Sequence, residues 1–107
     1  MTNDNLYSHL PHLTSSEEFE TLLQQDNIKI ERIVSSPRPN DALQCQAHDE
    51  WVALLQGEAV LEIEGKERKL VAGDHLFIPA GRVHRVLLTS DEPNCIWLAL
   101  HIYPNKS

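Results

Sequence analysis

The stretch GDHLFIPAGRVH, residues 73–84, decides the reading of this chain, together with EWVALLQG, residues 50–57, upstream of it. In the first, the spacing G-x5-P-x-G-x2-H sets a glycine turn, a short apolar strand, a Pro-x-Gly turn and a histidine opening the next strand. In the second, Glu50 is followed at seven residues by Gly57, at the end of a mostly apolar run.

Outward from these two stretches, the chain is a series of short segments with β character, each closed by a turn signal. They cover residues 43–47, 50–56, 59–64, 68–71, 75–78, 83–88 and 95–103, and Gly57, Gly65-Lys66, Gly73-Asp74, residues 79–81 and the loop 90–94 separate them. Seven such strands without intervening helices predict an all-β barrel or sandwich. Ile28, Ile30, Ile33 and Val34 among Lys29, Glu31 and Arg32 predict an earlier strand, with a bulge where the alternation slips between Ile30 and Ile33. Pro37 and Pro39 make residues 35–41 a loop.

Residues two apart on a strand share a face. In residues 50–56 both the even set (Glu50, Val52, Leu54, Gln56) and the odd set (Trp51, Ala53, Leu55) are largely apolar. Such a strand is buried on both sides, inside a packed sheet or under a subunit interface, and a homodimer is expected. Gln44, Gln46, His48 and Glu50 have the same parity, so an extended backbone aims all four to one side. His84 shares its face with Val86 and Leu88, an apolar wall with the imidazole at the mouth of a cup. A concave apolar pocket with a few convergent polar groups is the usual form of a small-molecule site.

Toward the N-terminus, residues 1–13 are polar, broken by Pro11, and expected to form an irregular arm. Ser15 followed by Glu18 fits a capping box, and Phe19, Leu22 and Leu23 fall at i, i+3 and i+4, which predicts a short helix over residues 16–25 ended by Asp26-Asn27. Residues 1–27 are thus expected to pack on a barrel made by residues 28–107, within one structural domain.

A length of 107 residues suits one domain that buries a core without disulfides. Nine Lys and Arg against sixteen Asp and Glu, a formal charge of −7, oppose binding to nucleic acid or anionic lipid. The longest apolar runs, WVALL and CIWLAL, are far below the ~20 residues of a membrane helix. The first residues lack a basic and then apolar leader pattern, so a cytoplasmic location is expected. Cys45 and Cys95 form no CxxC pair and are expected as free thiols.

The two opening stretches resemble the two sequence motifs of the cupin superfamily, and the likeness extends over residues 28–103. It implies a double-stranded β-helix, or jelly roll, whose inward His and Glu side chains commonly hold a metal. The first motif usually reads H-x-H-x3-E, and here Gln44 and Gln46 stand where the histidines would be. The asparagine that often follows four residues after the histidine of the second motif is replaced by Leu88. By resemblance, the metal positions are Gln44, Gln46, Glu50 and His84, for a divalent ion such as Zn, Ni, Mn or Fe. A carboxamide oxygen is a weaker ligand for these ions than imidazole, so the set is expected to hold one loosely, or His48 turns in to replace a missing imidazole.

Each residue also has a plainer account. His84 is either a site residue or a satisfied rim histidine. Glu50, a carboxylate on an apolar strand, needs a cation, a metal or a donor such as Gln46. His48, beside Asp49, is expected to be exposed. His101 has the parity of Trp97 and Ala99 and lines the pocket if that set faces inward. Arg82, in the turn, either reaches a ligand carboxylate or phosphate or stays a solvated rim charge, while Arg85 is expected to point away from the cup. No GxSxG, HExxH, phosphate-binding glycine loop or CxxC is present. Three functions fit: binding of a small molecule, with or without a divalent metal; a metal-dependent dioxygenase, or a metal-free isomerase in which His84 and Glu50 act as acid and base; and a non-catalytic sensing or scaffolding module.

Overall fold

The computed structural model describes residues 4–104 as two facing antiparallel sheets. Strands β1 (Glu17–Gln25), β2 (Ile28–Ser35), β3 (Asp49–Gln56), β6 (His75–Ile78) and β8 (Cys95–Ile102) form the larger sheet, in the order β1-β2-β8-β3-β6. The smaller sheet holds β4 (Glu58–Ile63), β5 (Lys66–Val71) and β7 (His84–Thr89), in the order β5-β4-β7. This is an all-β, jelly-roll-like architecture. Among the described residues, no helix is long and apolar enough to cross a membrane.

Alternation places the core. Val52 and Leu54 of β3, Cys95 and Trp97 of β8 and Ile78 of β6 meet Ala59, Leu61 and Leu70 of the smaller sheet, and all are buried. Trp97 donates its indole N–H to Ser35 Oγ at 3.0 Å, so its one polar atom is satisfied inside the core.

The expected helix over residues 16–25 is not present; that segment is strand β1, paired with β2 from Glu17↔Ser35 to Gln25↔Ile28. The capping-box reading fails for a physical reason. A lone helix of that length is marginal in water, and β1 is exposed along nearly its whole length, so little packing would have held it. A hairpin gains a full ladder of backbone bonds instead, closed by Asp26 in the left-handed region at φ 53°. The irregularity between Thr21 and Leu23 absorbs the extra residue that made the apolar positions look helical. β2 itself runs against β8 without a bulge. Residues 43–47 form no full strand either; only Gln44 bridges to His84.

The N-terminal segment is tied down by Arg32, which is 5% exposed. Its guanidinium donates to the carbonyls of Leu6 (3.1 Å) and Ser8 (2.7 Å) and lies 3.2 Å from the carboxylate of Glu20 on β1. Cys45 and Cys95 are free, the former exposed and the latter buried.

Gly57, between β3 and β4, has φ 92°, and a Cβ there would stand 2.7 Å from Ser90 Oγ and 2.8 Å from Cys95 Sγ. Gly65 has φ 78° and open space around it. Gly65→Ala is therefore expected to cost about 1–2 kcal/mol from the backbone alone. Gly57→Ala should cost a further 1–3 kcal/mol or so for the overpacking. Urea melts of both variants check the difference.

Candidate functional site

A cavity of about 150 Å³ lies between the sheets. Backbone pairing carries its polar residues there. Gln44 exchanges two hydrogen bonds with His84 (2.8 and 2.9 Å), and Gly81 N–H donates to the Gln46 carbonyl at 2.8 Å, so residues 44–46 are stitched to the Pro-x-Gly turn and its histidine. Ala80 N–H donates to Asp49 Oδ1 at 2.8 Å, which fixes the start of β3. Alternation along β3 then turns Glu50 inward with Val52, and along β8 turns His101 inward with Trp97.

Gln44, Gln46, Glu50 and His84 all line the cavity, as does His101. Leu61, Ile78, Val86 and Trp97 supply its apolar wall. His48 and Arg82 are not among the lining residues, and Arg82 is exposed, a rim charge. His48 is partly buried and reaches the site only through His101, its Nε2 2.9 Å from His101 Nδ1. Arg85, expected to point away, does line the cavity, where its guanidinium is held by Glu62 at 3.0 and 3.5 Å. β7 is an edge strand of the smaller sheet, so a long side chain of either parity can reach round it.

Two further carboxylates line the cavity that sequence reading did not single out: Glu17 of β1 and Glu31 of β2. Glu31 is 6% exposed and accepts from His101 Nε2 at 2.7 Å, with Lys29 Nζ 3.7 Å from its other oxygen. The signal was present as a carboxylate in the parity class of Ile33, masked by Lys29 and Arg32 on either side.

Glu50 is 8% exposed, and burial pushes its carboxyl above the usual glutamate range. The nearby imidazoles of His101 and His84 and a hydrogen bond from Gln46 pull the other way, while Glu31 adds to the rise. Burial raises Glu17 too, against hydrogen bonds from the Asn40 backbone and Ser35. Gln46 Oε1 is buried without a hydrogen-bond partner among the described residues. His84 Nδ1 lies 3.1 Å from the Arg82 carbonyl, which can only accept; in the neutral ring Nδ1 therefore carries the proton and Nε2 is free to accept.

The donor set does not fit a tightly held transition metal. The four motif positions give one imidazole, one carboxyl that burial biases toward its protonated form, and two carboxamides. Among the described residues, no group of three His, Cys, Asp or Glu side chains is placed to hold an ion.

The family profile of the cupin domain matches residues 41–103. A protein of Ralstonia eutropha, described as a "putative mannose-6-phosphate isomerase", is 36% identical, with a TM-score of 0.83 over 97% of this chain and all of that one. An uncharacterized protein of Aquifex aeolicus is 32% identical over 78 residues, 72% of this chain; the match spans 64% of that relative's length. An RmlC-like cupin of Shewanella frigidimarina shares the fold at 16% identity, with a TM-score of 0.72 over 84% of this chain and 78% of that one.

Raised carboxyls give stability a definite pH dependence. For Glu50 the proton's contribution is full below the ordinary value of 4.5 and is lost as pH rises through the raised folded value. Glu50→Gln should therefore be more stable than wild type at neutral pH, with the gap closing as pH falls below 4.5. Thermal melts of both proteins across that range are the check.

Proposed function

This chain belongs to the cupin family, and on that footing we propose that its barrel binds a small, uncharged, hydroxyl-bearing molecule without a resident metal. The observation that carries this reading is the surplus of acceptors: the buried Glu50, the half-buried Glu17 and Gln46 Oε1, which has no partner among the described residues, converge on a cavity whose remaining wall is apolar. Hydroxyl groups supply the donors such a wall lacks, and the C–H face of a sugar-like molecule packs on Trp97 and its aliphatic neighbours.

A sugar phosphate fits this cavity poorly, whatever the Ralstonia relative's description implies for that protein. Its charge would face Glu31 and add to the burial that already disfavours ionisation of Glu17 and Glu50, and the lining guanidinium, Arg85, is already paired with Glu62. Like charges brought together in a desolvated site cost several kcal/mol, so charge selects against the phosphate.

A second reading, isomerase chemistry, is favoured by the buried Glu50. A carboxyl held toward its protonated form beside a histidine is suited to general acid–base work, with Glu50 as acid and His84 Nε2 as base. The non-catalytic alternative would leave the same pocket to bind only.

A homodimer has support in the outer face of the larger sheet. Trp51 stands opposite Phe77 on β6 and Leu100 on β8, and Phe77 is 52% exposed. Light scattering should give twice the 12.2 kDa chain mass.

Thermal-shift and calorimetric titrations with mannose and with mannose 6-phosphate separate the readings. Mannose should stabilise the wild type and mannose 6-phosphate should not, and Glu50→Gln should lose most of the mannose response. Protein incubated with Zn, Ni, Mn or Fe and desalted should carry no stoichiometric metal. If the isomerase reading holds, the C2 proton of mannose exchanges in D2O with wild type, and His84→Ala loses that exchange while keeping mannose affinity. A response to the phosphate but not to the neutral sugar would overturn the charge argument.

A further inference from the structure

Behind the cavity, three side chains are joined nose to tail in a way that the proposed binding site does not require. Glu31 and His101 line the cavity and are 6% and 8% exposed. Glu31 Oε1 meets His101 Nε2 at 2.7 Å, and His101 Nδ1 meets His48 Nε2 at 2.9 Å. His48 lies outside the cavity and is partly exposed, at the rim of the barrel just before β3, with the Tyr103 ring against it at a centroid distance of 4.4 Å. We propose that Glu31, His101 and His48 form a proton wire from the cavity to the barrel rim.

A buried carboxylate needs one charged or hydrogen-bonded partner, and Lys29 and His101 both attend Glu31. Lys29 Nζ meets one carboxylate oxygen of Glu31 and His101 Nε2 the other. A neutral imidazole donates at one nitrogen and accepts at the other, which is the property that lets a ring hand a proton on. Both ring nitrogens of His101 are engaged, one toward the cavity and one toward His48. The other charged or polar groups around the wire are Glu50, opposite His101 across the β3–β8 ladder, Asp49 beside His48, and Tyr103. Burial and the neighbouring His101 lower the affinity of His48 for a second proton, against Asp49.

The transfer balances without any change of oxidation state. A proton on the Glu31 carboxyl passes to His101 Nε2, while the Nδ1–H bond of His101 breaks and its proton bonds to His48 Nε2. His48 then releases its Nδ1 proton to water. Both rings end as Nε2–H tautomers, and transfer in the opposite sense restores them. The use of such a wire rests on the acid–base reading of the cavity: it would let a group inside exchange protons with solvent while a ligand fills the mouth. Its existence can be tested with no ligand present.

The experiment is nitrogen-detected NMR on the full chain labelled in its histidines. Glu31→Gln should move the ring nitrogen resonances of His48 as well as those of His101, since the His101 ring joins the two. His48→Gln keeps a hydrogen-bonding group beside His101 but cannot relay a proton. It should slow solvent exchange of the His101 ring N–H by ~10-fold, the effect of about 1.4 kcal/mol added to the barrier. An unchanged exchange rate in His48→Gln with a native amide spectrum would overturn the wire. So would ring nitrogen resonances of His48 that Glu31→Gln leaves unmoved. Failure of the sugar titrations would leave both measurements standing.

Discussion

The site depends on one constraint: carboxylates are taken out of water between two apolar sheets without enough cations to match them. Glu50 sits between Val52 and the inward face of β8, and the nearby imidazoles of His101 and His84 offset the cost of its burial only in part. A fully buried, unpaired carboxylate shifts toward its neutral form rather than persist as a bare charge. That preference sets the character of the cavity. It weakens Glu50 as a metal ligand, strengthens it as a hydrogen-bond donor, and makes the surroundings unwelcoming to a second anion. Glu17 repeats the pattern on the neighbouring wall, while Glu31 is met by Lys29 and His101.

Much of the fold was legible because turns punctuate it. Gly57, Gly65, Gly73 and Gly81 all take positive φ, and each marks an end that the spacing of the sequence implied. Parity along β3 and β8 was equally readable, since a one-residue slip would expose every core side chain. The N-terminal hairpin was hidden by a coincidence of period. Phe19, Leu22 and Leu23 suit one helix face, and a strand with an extra residue between Thr21 and Leu23 produces the same spacing. Deciding between them takes knowledge of β2 as a waiting partner, which is a tertiary fact. The turn Asp26-Asn27 between two β-capable runs was the local clue.

Within the cavity, Gln44, Gln46, Glu50 and His84 could be placed together from the motif, and His101 from parity. Glu31 and the link through His48 could not. A carboxylate between Lys29 and Arg32 on a strand reads as solvated surface, yet Arg32 is itself buried beneath the N-terminal segment and Glu31 turns the other way, into the cavity. The expectation that His48 is simply exposed missed a contact 53 residues away along the chain. Hydrogen bonds between side chains on distant strands leave no periodic trace in a sequence.

The two glutamines give the clearest view of how a shared fold carries different chemistry. An imidazole at residue 44 or 46 would present a nitrogen lone pair, which suits a transition ion and, when neutral, also forms a hydrogen bond. A carboxamide presents an oxygen and an NH2 in a fixed plane, so at Gln46 the NH2 can serve Glu50 and leave the oxygen facing a demand for a donor. The backbone bonds that bring these positions to His84 are indifferent to the side chain: Gln44 pairs through its own N–H and carbonyl, and Gly81 binds the Gln46 carbonyl. Exchange of the side chains therefore leaves the barrel intact and alters only what its interior recognises. An overall likeness as close as that to the Ralstonia protein accordingly speaks for the scaffold, while the substrate must be argued from the acceptors, the apolar wall and the charge that this chain itself presents.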